Sequence, residues 1–191
     1  MKKSTITPLL ILLALLPGCF VVSLQPFYAE DDVIADRSLA GEWQETGKQN
    51  KWHFKPSDDA KSYDIIITEG DDSTGFFIGT PFKIKEQFFI DIYPDTSNDN
   101  KLPMSSVYMI HRIPVHSLIH VKVSETTATL RVPSFAWFTK FLEEHPDALR
   151  HELIEDNFPV VTATTGELQD FWFKHLTTED AYIETELTKL P

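Results

Sequence analysis

The chain has 191 residues, one cysteine and a formal net charge of −12. The excess of acidic groups repels polyanions, so nucleic acid is excluded as a partner. A single cysteine also excludes an internal disulfide and a multi-cysteine metal site. Fourteen phenylalanines, five tyrosines and four tryptophans supply apolar area for one sizeable core. The length suits a single domain rather than two.

The first 19 residues show the order of features typical of a secretion signal. A basic start at residues 2–3, an apolar run over residues 9–16 and a Pro-Gly pair precede Cys19. The nearly continuous apolar chain over residues 9–24 is shorter than the ~20 residues that a spanning helix needs, and Pro17-Gly18 interrupts it. The alternatives to acylation of Cys19 are a transmembrane anchor and ordinary cleavage without lipid.

The residues around the cleavage point, Leu16-Pro17-Gly18-Cys19, resemble the bacterial lipobox. This resemblance implies a lipoprotein signal peptide over residues 1–18 and acyl chains, palmitate among them, on Cys19. Stable anchoring takes more than one acyl chain, which a tri-acylated cysteine provides. Pro17 departs from the pattern, which usually has Ala, Ser, Thr, Val or Ile there. Because Phe20 rather than aspartate follows the cysteine, the resemblance favours the outer membrane in a Gram-negative organism.

The remaining chain divides into a tether and a globular domain. Residues 19–37 show no hydrophobic period, so we expect a flexible tether before a single domain over residues 38–191. From Leu39 the apolar residues alternate with period two, and turn residues separate the alternating segments. Strands are predicted for residues 39–44, 51–55, 63–68, 76–84, 88–93, 104–113, 119–123 and 128–132, with a polar loop over residues 94–103.

Two helices are predicted towards the end of the chain. Ser134 is a candidate N-cap for a helix over residues 135–144. Thr164 and Glu167 have the spacing of a capping box and precede a second helix with one apolar stripe. Two further strands are predicted, over residues 158–163 and 181–187. The predicted fold class is mainly β (β-rich α+β): an antiparallel barrel or strongly curved sheet with two inserted helices.

Two family resemblances accompany this pattern. Leu39-Ala40-Gly41-Glu42-Trp43 is similar to the Gly-x-Trp start of lipocalins, in which the tryptophan plugs the closed end of an eight-stranded barrel and an arginine covers it. Arg131 is the candidate for that arginine, although the lipocalin Thr-Asp-Tyr motif is absent. The alternative is that Trp43 is an ordinary core aromatic. Several longer segments are similar to a group of bacterial lipoproteins of unknown function, which implies secretion and a β-rich fold: residues 39–43, 89–94, 113–117, 137–148 and 162–169.

A barrel of about eight strands holds one small ligand if side chains do not fill its interior. The candidate ligand-facing residues are apolar members of the alternating segments: Phe76, Ile78, Phe88, Ile90, Ile119 and Val121. The alternative is that these side chains fill a solid core.

The histidines show no metal-ligand spacing. His116 and His120 share one face of a predicted strand but lie ~13 Å apart, too far for a single zinc ion. Only donors from other strands, such as His111, would complete a site, so we expect a polar outer face and neither metal nor cofactor. Asp91 interrupts an apolar segment with the parity of Phe89, which favours the outer face or rim. An inward Asp91 would need a partner.

The sequence contains no Gly-x-Ser-x-Gly elbow, Gly-rich phosphate loop or metalloprotease helix motif. We therefore predict a non-catalytic, lipid-anchored protein of the cell envelope that binds a small apolar ligand in a lipocalin-like barrel. Its expected partners are the membrane, through the lipid on Cys19, and the ligand. The alternative is an envelope scaffold with a solid core that binds proteins through residues 135–144 or 94–103. An unrecognised hydrolase is a third, distant alternative.

Overall fold

A closed barrel of eight antiparallel strands forms the centre of the protein. The computed structural model describes residues 20–70, 73–97, 113–154 and 158–191. The strands in these ranges are β1 (Val22–Ser23), β2 (Gly41–Glu45), β3 (Lys51–Pro56), β4 (Tyr63–Glu69), β5 (Ser73–Ile84), β6 (Gln87–Pro94), β7 (Ser117–Val123), β8 (Thr127–Pro133), β9 (His151–Ile154), β10 (Phe158–Val161) and β11 (Tyr182–Lys189). The barrel order is β11-β2-β3-β4-β5-β6-β7-β8, closed by β8 on β11. The predicted mainly β, barrel-like fold is confirmed.

Two helices lie in the connection between β8 and β11, as predicted. Helix α1 (Phe135–Glu144) begins at Ser134, whose side chain accepts a hydrogen bond from the Trp137 backbone N–H. Helix α2 (Thr165–Lys174) begins with the expected capping box of Thr164 and Glu167. Between the helices, β10 pairs with β9 and, in parallel, with β1. No helix in the described ranges is long and apolar enough to cross a bilayer.

The barrel interior contains one of two hydrophobic cores. Trp43 is fully buried in it, and its Nε1–H donates to the Leu39 carbonyl oxygen at 2.7 Å. The cation over the Trp43 ring is Lys189, whose Nζ lies 5.2 Å from the ring centroid. Arg131, the candidate from the lipocalin resemblance, instead lies over the Tyr182 ring on the outer face. That assignment was wrong because consecutive residues of a strand point to opposite faces and Arg131 follows the inward Leu130.

The second core lies between the outer face of the barrel and the two helices. The barrel contributes Phe82, Phe89, Leu118 and Tyr182. The helices contribute apolar side chains that meet edge-on or tilted, including Phe138, Phe171 and Trp172. Part of the barrel wall is therefore buried on both faces, so some outward side chains of β6 and β7 are shielded from water.

The segment over residues 20–37 lies along the barrel, which differs from the flexible tether expected over residues 19–37. Val21 and Phe27 are buried in the second core, and β1 adds a strand beside β10. The segment has no hydrophobic period because its side chains contact different surfaces in turn rather than one face of a regular element.

Several predictions fall outside the described residues. These are the signal peptide over residues 1–18 and the lipid site Cys19, His111, almost all of the strand over residues 104–113, and the polar loop beyond residue 97. They stay predictions.

Candidate ligand-binding cavity

Among the described residues, the barrel interior opens at the end that carries the β2–β3 hairpin. A cavity of about 630 Å³ lies at this end, between side chains of the barrel strands and of the segment that contains β1. Small-molecule sites in proteins typically have volumes of ~300–1,000 Å³. We call this space the mouth cavity.

Most of the wall of the mouth cavity is apolar. Its apolar side chains include Trp52, Ile67, Phe77, Ile92, Val132 and Ile183. The register of β4 and β5 explains why Phe77 points inward, since it pairs with Ile65, which belongs to the interior core. Two residues further along β5, a Cβ on Gly79 would collide with the Ile65 side chain. Glycine at that position therefore allows the interior side chains of β4 and β6 to approach.

Of the six candidate ligand-facing residues, four point into the barrel, but none lines the mouth cavity. Phe88, Ile90, Ile119 and Val121 belong to the packed interior core. They support the alternative interpretation, in which such residues fill a core. The cavity is bounded instead by residues nearer the open end of the barrel.

The other two candidates, Phe76 and Ile78, lie on the outer face of β5, and Ile78 is 41% exposed. The prediction that they face a ligand was wrong. The inward positions of β5 are instead occupied by Gly75, Phe77 and Gly79. The two glycines give no hydrophobic signal, so the outward pair looked like the apolar face.

A buried carboxylate, Glu45, lies on the cavity wall. Its Oε2 accepts a hydrogen bond from Asn50 Nδ2 at 2.8 Å, and its Oε1 forms an ion pair with Lys48 Nζ. These two partners compensate the charge, which would otherwise be costly to bury. Lys48 is itself exposed, so the polar groups of this hairpin collect at the rim, above the apolar wall.

Trp52 carries a further polar group in the wall. Its Nε1–H is buried and has no hydrogen-bond partner in the part of the chain that is described. A buried donor without an acceptor costs ~1–3 kcal/mol. The ring stacks on Phe54 with centroids 5.9 Å apart, which fixes its position in the wall.

A pair formed by the buried Asp91 and the half-buried His116 lies outside the barrel. His116 Nδ1 is 2.7 Å from Asp91 Oδ1, and the Phe27 backbone N–H donates to Asp91 Oδ2 at 2.8 Å. Burial raises the pKa of the Asp91 carboxyl, and these two hydrogen bonds oppose that rise. Asp91 is on the outer face, as its parity indicates, but the segment over residues 20–37 covers it. The pair therefore joins that segment to the barrel.

His120, expected on a polar outer face, is 1% exposed. Its Nε2 lies 3.1 Å from Gln87 Oε1, and its ring lies against Phe89. Burial, together with the nearby charge of Arg131, lowers the pKa of His120 to about 4. The face shared by His116 and His120 was assigned correctly, but the second core covers it, so the expected solvated surface is wrong.

Within the described ranges, no three His, Cys, Asp or Glu side chains are grouped to hold a metal ion. Among the described lining residues of the mouth cavity there is no histidine to act as a general base. Comparison with known proteins gave no match to a family model, to a curated protein or to a solved structure. The function is therefore inferred from the barrel, its cavity and the features of the sequence.

Proposed function

We propose that this protein is a lipid-anchored, non-catalytic protein of the cell envelope that binds a small, mostly apolar molecule in its barrel. The observation that carries this proposal is the mouth cavity, with an apolar wall and polar groups at its rim. Such a site holds an apolar body by burial, while a few polar groups fix its orientation. Because the barrel is closed all round, a ligand enters through the open end.

The lipid anchor is supported by the sequence that precedes the barrel mouth. Cys19 is bonded directly to Phe20, and Phe20 lines the mouth cavity. Acylation of Cys19 would hold this end of the barrel close to a bilayer.

Metabolic labelling tests the anchor: wild-type protein should incorporate labelled palmitate, and Cys19→Ser should not. Wild-type protein without label would contradict the anchor.

Ligand binding is tested by filling the cavity. Ser117 is buried on the cavity wall, so Ser117→Trp should occupy the space that a ligand needs. The matched control, Ile78→Trp, adds an indole to the outer face. An uncharged fluorescent probe, N-phenyl-1-naphthylamine, should bind wild type and the control alike, and Ser117→Trp at least tenfold more weakly.

Overpacking can itself destabilise a protein by ~1–3 kcal/mol, so circular dichroism must show that Ser117→Trp is folded. Thr185→Phe, from another part of the wall, provides a second filled cavity. Equal probe affinity in wild type and both filled variants would contradict binding in the mouth cavity. Native mass spectrometry of the protein purified from cells then identifies the retained molecule.

The scaffold alternative is less well supported. It requires a solid interior and a contact surface for partner proteins on α1 or on the loop over residues 94–103, most of which lies outside the described residues. On α1, the apolar Phe138 and Leu142 are already buried in the second core. The helix therefore offers little apolar surface for a partner.

A further inference from the structure

Exposed apolar side chains continue outward from the mouth of the barrel. Phe20 and Ile183 line the mouth cavity and are nevertheless 42% and 46% exposed. Ile154, on β9, is 51% exposed. Large apolar side chains that are exposed together mark a surface that binds a membrane, a ligand or another protein.

Strand registers place these residues on one continuous surface. Phe20 forms a bridge with Ser134, next to the start of β11, where Ile183 lies. In the parallel pair of β1 and β10, Val22 is opposite Val160. Extending this register back by two residues would set Phe20 level with Phe158. Phe158 in turn pairs with Ile154. A row of apolar side chains thus runs from the cavity mouth across β10 to the edge of β9; we call Phe20, Phe158, Ile154 and Ile183 the mouth band.

The position of the mouth band in the chain identifies what covers it. Cys19, the predicted lipid site, directly precedes Phe20 in the sequence, so an acyl chain on Cys19 would be attached beside this band. The net charge of −12 opposes contact with anionic lipid and favours zwitterionic headgroups.

We propose that the mouth band docks on the surface of a zwitterionic lipid bilayer, so that the mouth cavity opens onto the membrane. The inference rests on the proposed membrane anchor but not on a bound ligand. Docking in this orientation places the apolar side chains at the boundary between headgroups and acyl chains, where amphipathic protein surfaces bind. An apolar ligand then passes between membrane and cavity without crossing water.

The test uses the acylated protein that begins at Cys19, in phosphatidylcholine vesicles whose acyl chains carry bromine, a contact quencher of tryptophan fluorescence. Ile154→Trp and Ile183→Trp place a reporter in the mouth band. Ile78→Trp places one on the outer face of β5, where the wild-type residue has a similar exposure of 41%. Ile154→Trp is the decisive variant, because β9 is joined to the anchor only through the fold.

Docking predicts that brominated lipid quenches the added tryptophan at 154 and 183 at least twofold more than the one at 78. Replacing a third of the lipid by phosphatidylglycerol should reduce the quenching. Equal quenching at all three positions, in variants that circular dichroism shows to be folded, would overturn the proposal.

Probe binding by Ile154→Trp separates this inference from the proposed ligand binding, since Ile154 is not part of the cavity wall. Probe binding without quenching at 154 would remove the docking surface and leave the cavity function intact. Quenching at 154 without probe binding would support docking while contradicting the cavity function.

Discussion

His120 is a histidine that the fold keeps uncharged at neutral pH. It lies between the ring of Phe89 and the guanidinium of Arg131, and its Nε2 is hydrogen-bonded to Gln87 Oε1. Because these surroundings oppose a second positive charge, its pKa falls from 6.5 to about 4. Protonation of this one side chain therefore acts against folding.

The first prediction concerns stability between pH 7 and pH 4.5. In this range the unfolded chain binds a proton at His120 and the folded chain largely does not, so stability falls as the pH falls. The loss from this group is about 2–3 kcal/mol. His120→Gln removes the titrating group, so urea unfolding should show a smaller loss for the variant than for wild type. Asp91 titrates in both chains and cancels in the comparison, and parallel pH profiles would refute the assignment.

Lys189 contributes a cation–π contact to Trp43, in the core inside the barrel. Its Nζ lies over the face of the buried Trp43. Such a contact stabilises by ~0.5–1 kcal/mol at exposed sites and by more where it is desolvated. We expect Lys189→Met to lower the free energy of unfolding by about that amount, and Lys189→Arg to retain it. Lys122→Met, which removes an exposed lysine on the outer face, is the control. A loss no larger than that of the control would argue against the contact.

Helix α2 depends on its capping box. The Thr164 side chain accepts from the Glu167 backbone N–H, and the Glu167 carboxylate accepts from the Thr164 backbone N–H. The Arg150 guanidinium and the Thr164 hydroxyl hold the pKa of Glu167 at about 2. This carboxylate therefore stays charged over the whole neutral range and satisfies helix donors that would otherwise lack acceptors.

Removing the cap should destabilise the protein by ~1 kcal/mol, because α2 packs on the barrel and one of its N-terminal donors loses its acceptor. Thr164→Ala is compared with Thr177→Ala, an exposed threonine after the helix. Guanidinium unfolding of both variants measures the difference. Equal midpoints would show that the box contributes nothing to global stability.

The elements that the sequence predicts well are those with a regular apolar period. Both helices and the barrel strands in the described ranges belong to this group, since each buries one regular face. β9 was missed because three of its four residues are exposed, so the strand has no buried face to produce a pattern. β5 was found but its faces were exchanged, because Gly75 and Gly79 occupy inward positions that normally carry apolar side chains.

The mouth cavity was predicted as a possibility of the fold, but its wall was not. The position and walls of a cavity depend on how far side chains fill the barrel. The filling depends in turn on strand register and on the hairpin that contains Glu45 and Asn50. The alternation of apolar residues within a single strand determines neither of these. The burial of Asp91 was missed for a related reason, since the Phe27 backbone N–H that donates to it comes from a distant part of the sequence. The burial of His120 depends on contacts with Gln87, Phe89 and Arg131 across neighbouring strands.

At the scale of the whole molecule, two cores share one barrel wall. The first lies inside the barrel, and the second joins its outer face to the helices and to the segment over residues 20–37. That segment contributes Val21 and Phe27, and its Phe27 backbone N–H donates to the buried Asp91. It therefore belongs to the folded domain, although its sequence resembles a tether.

The last prediction compares a chain that begins at residue 20 with one that begins at residue 38. Without residues 20–37, the second core loses two apolar side chains and the Asp91 carboxyl loses a hydrogen-bond donor. Truncating a buried phenylalanine alone costs ~3–5 kcal/mol. We therefore expect the shorter chain to unfold at a markedly lower temperature by circular dichroism, or to aggregate.

Phe27→Ala in the longer chain should reproduce much of the loss. Glu30→Ala with Asp31→Ala, two exposed changes in the same segment, should leave the midpoint unchanged. Equal unfolding temperatures for the two chains would mean that residues 20–37 are a tether after all, and would remove the contact that orients the mouth band.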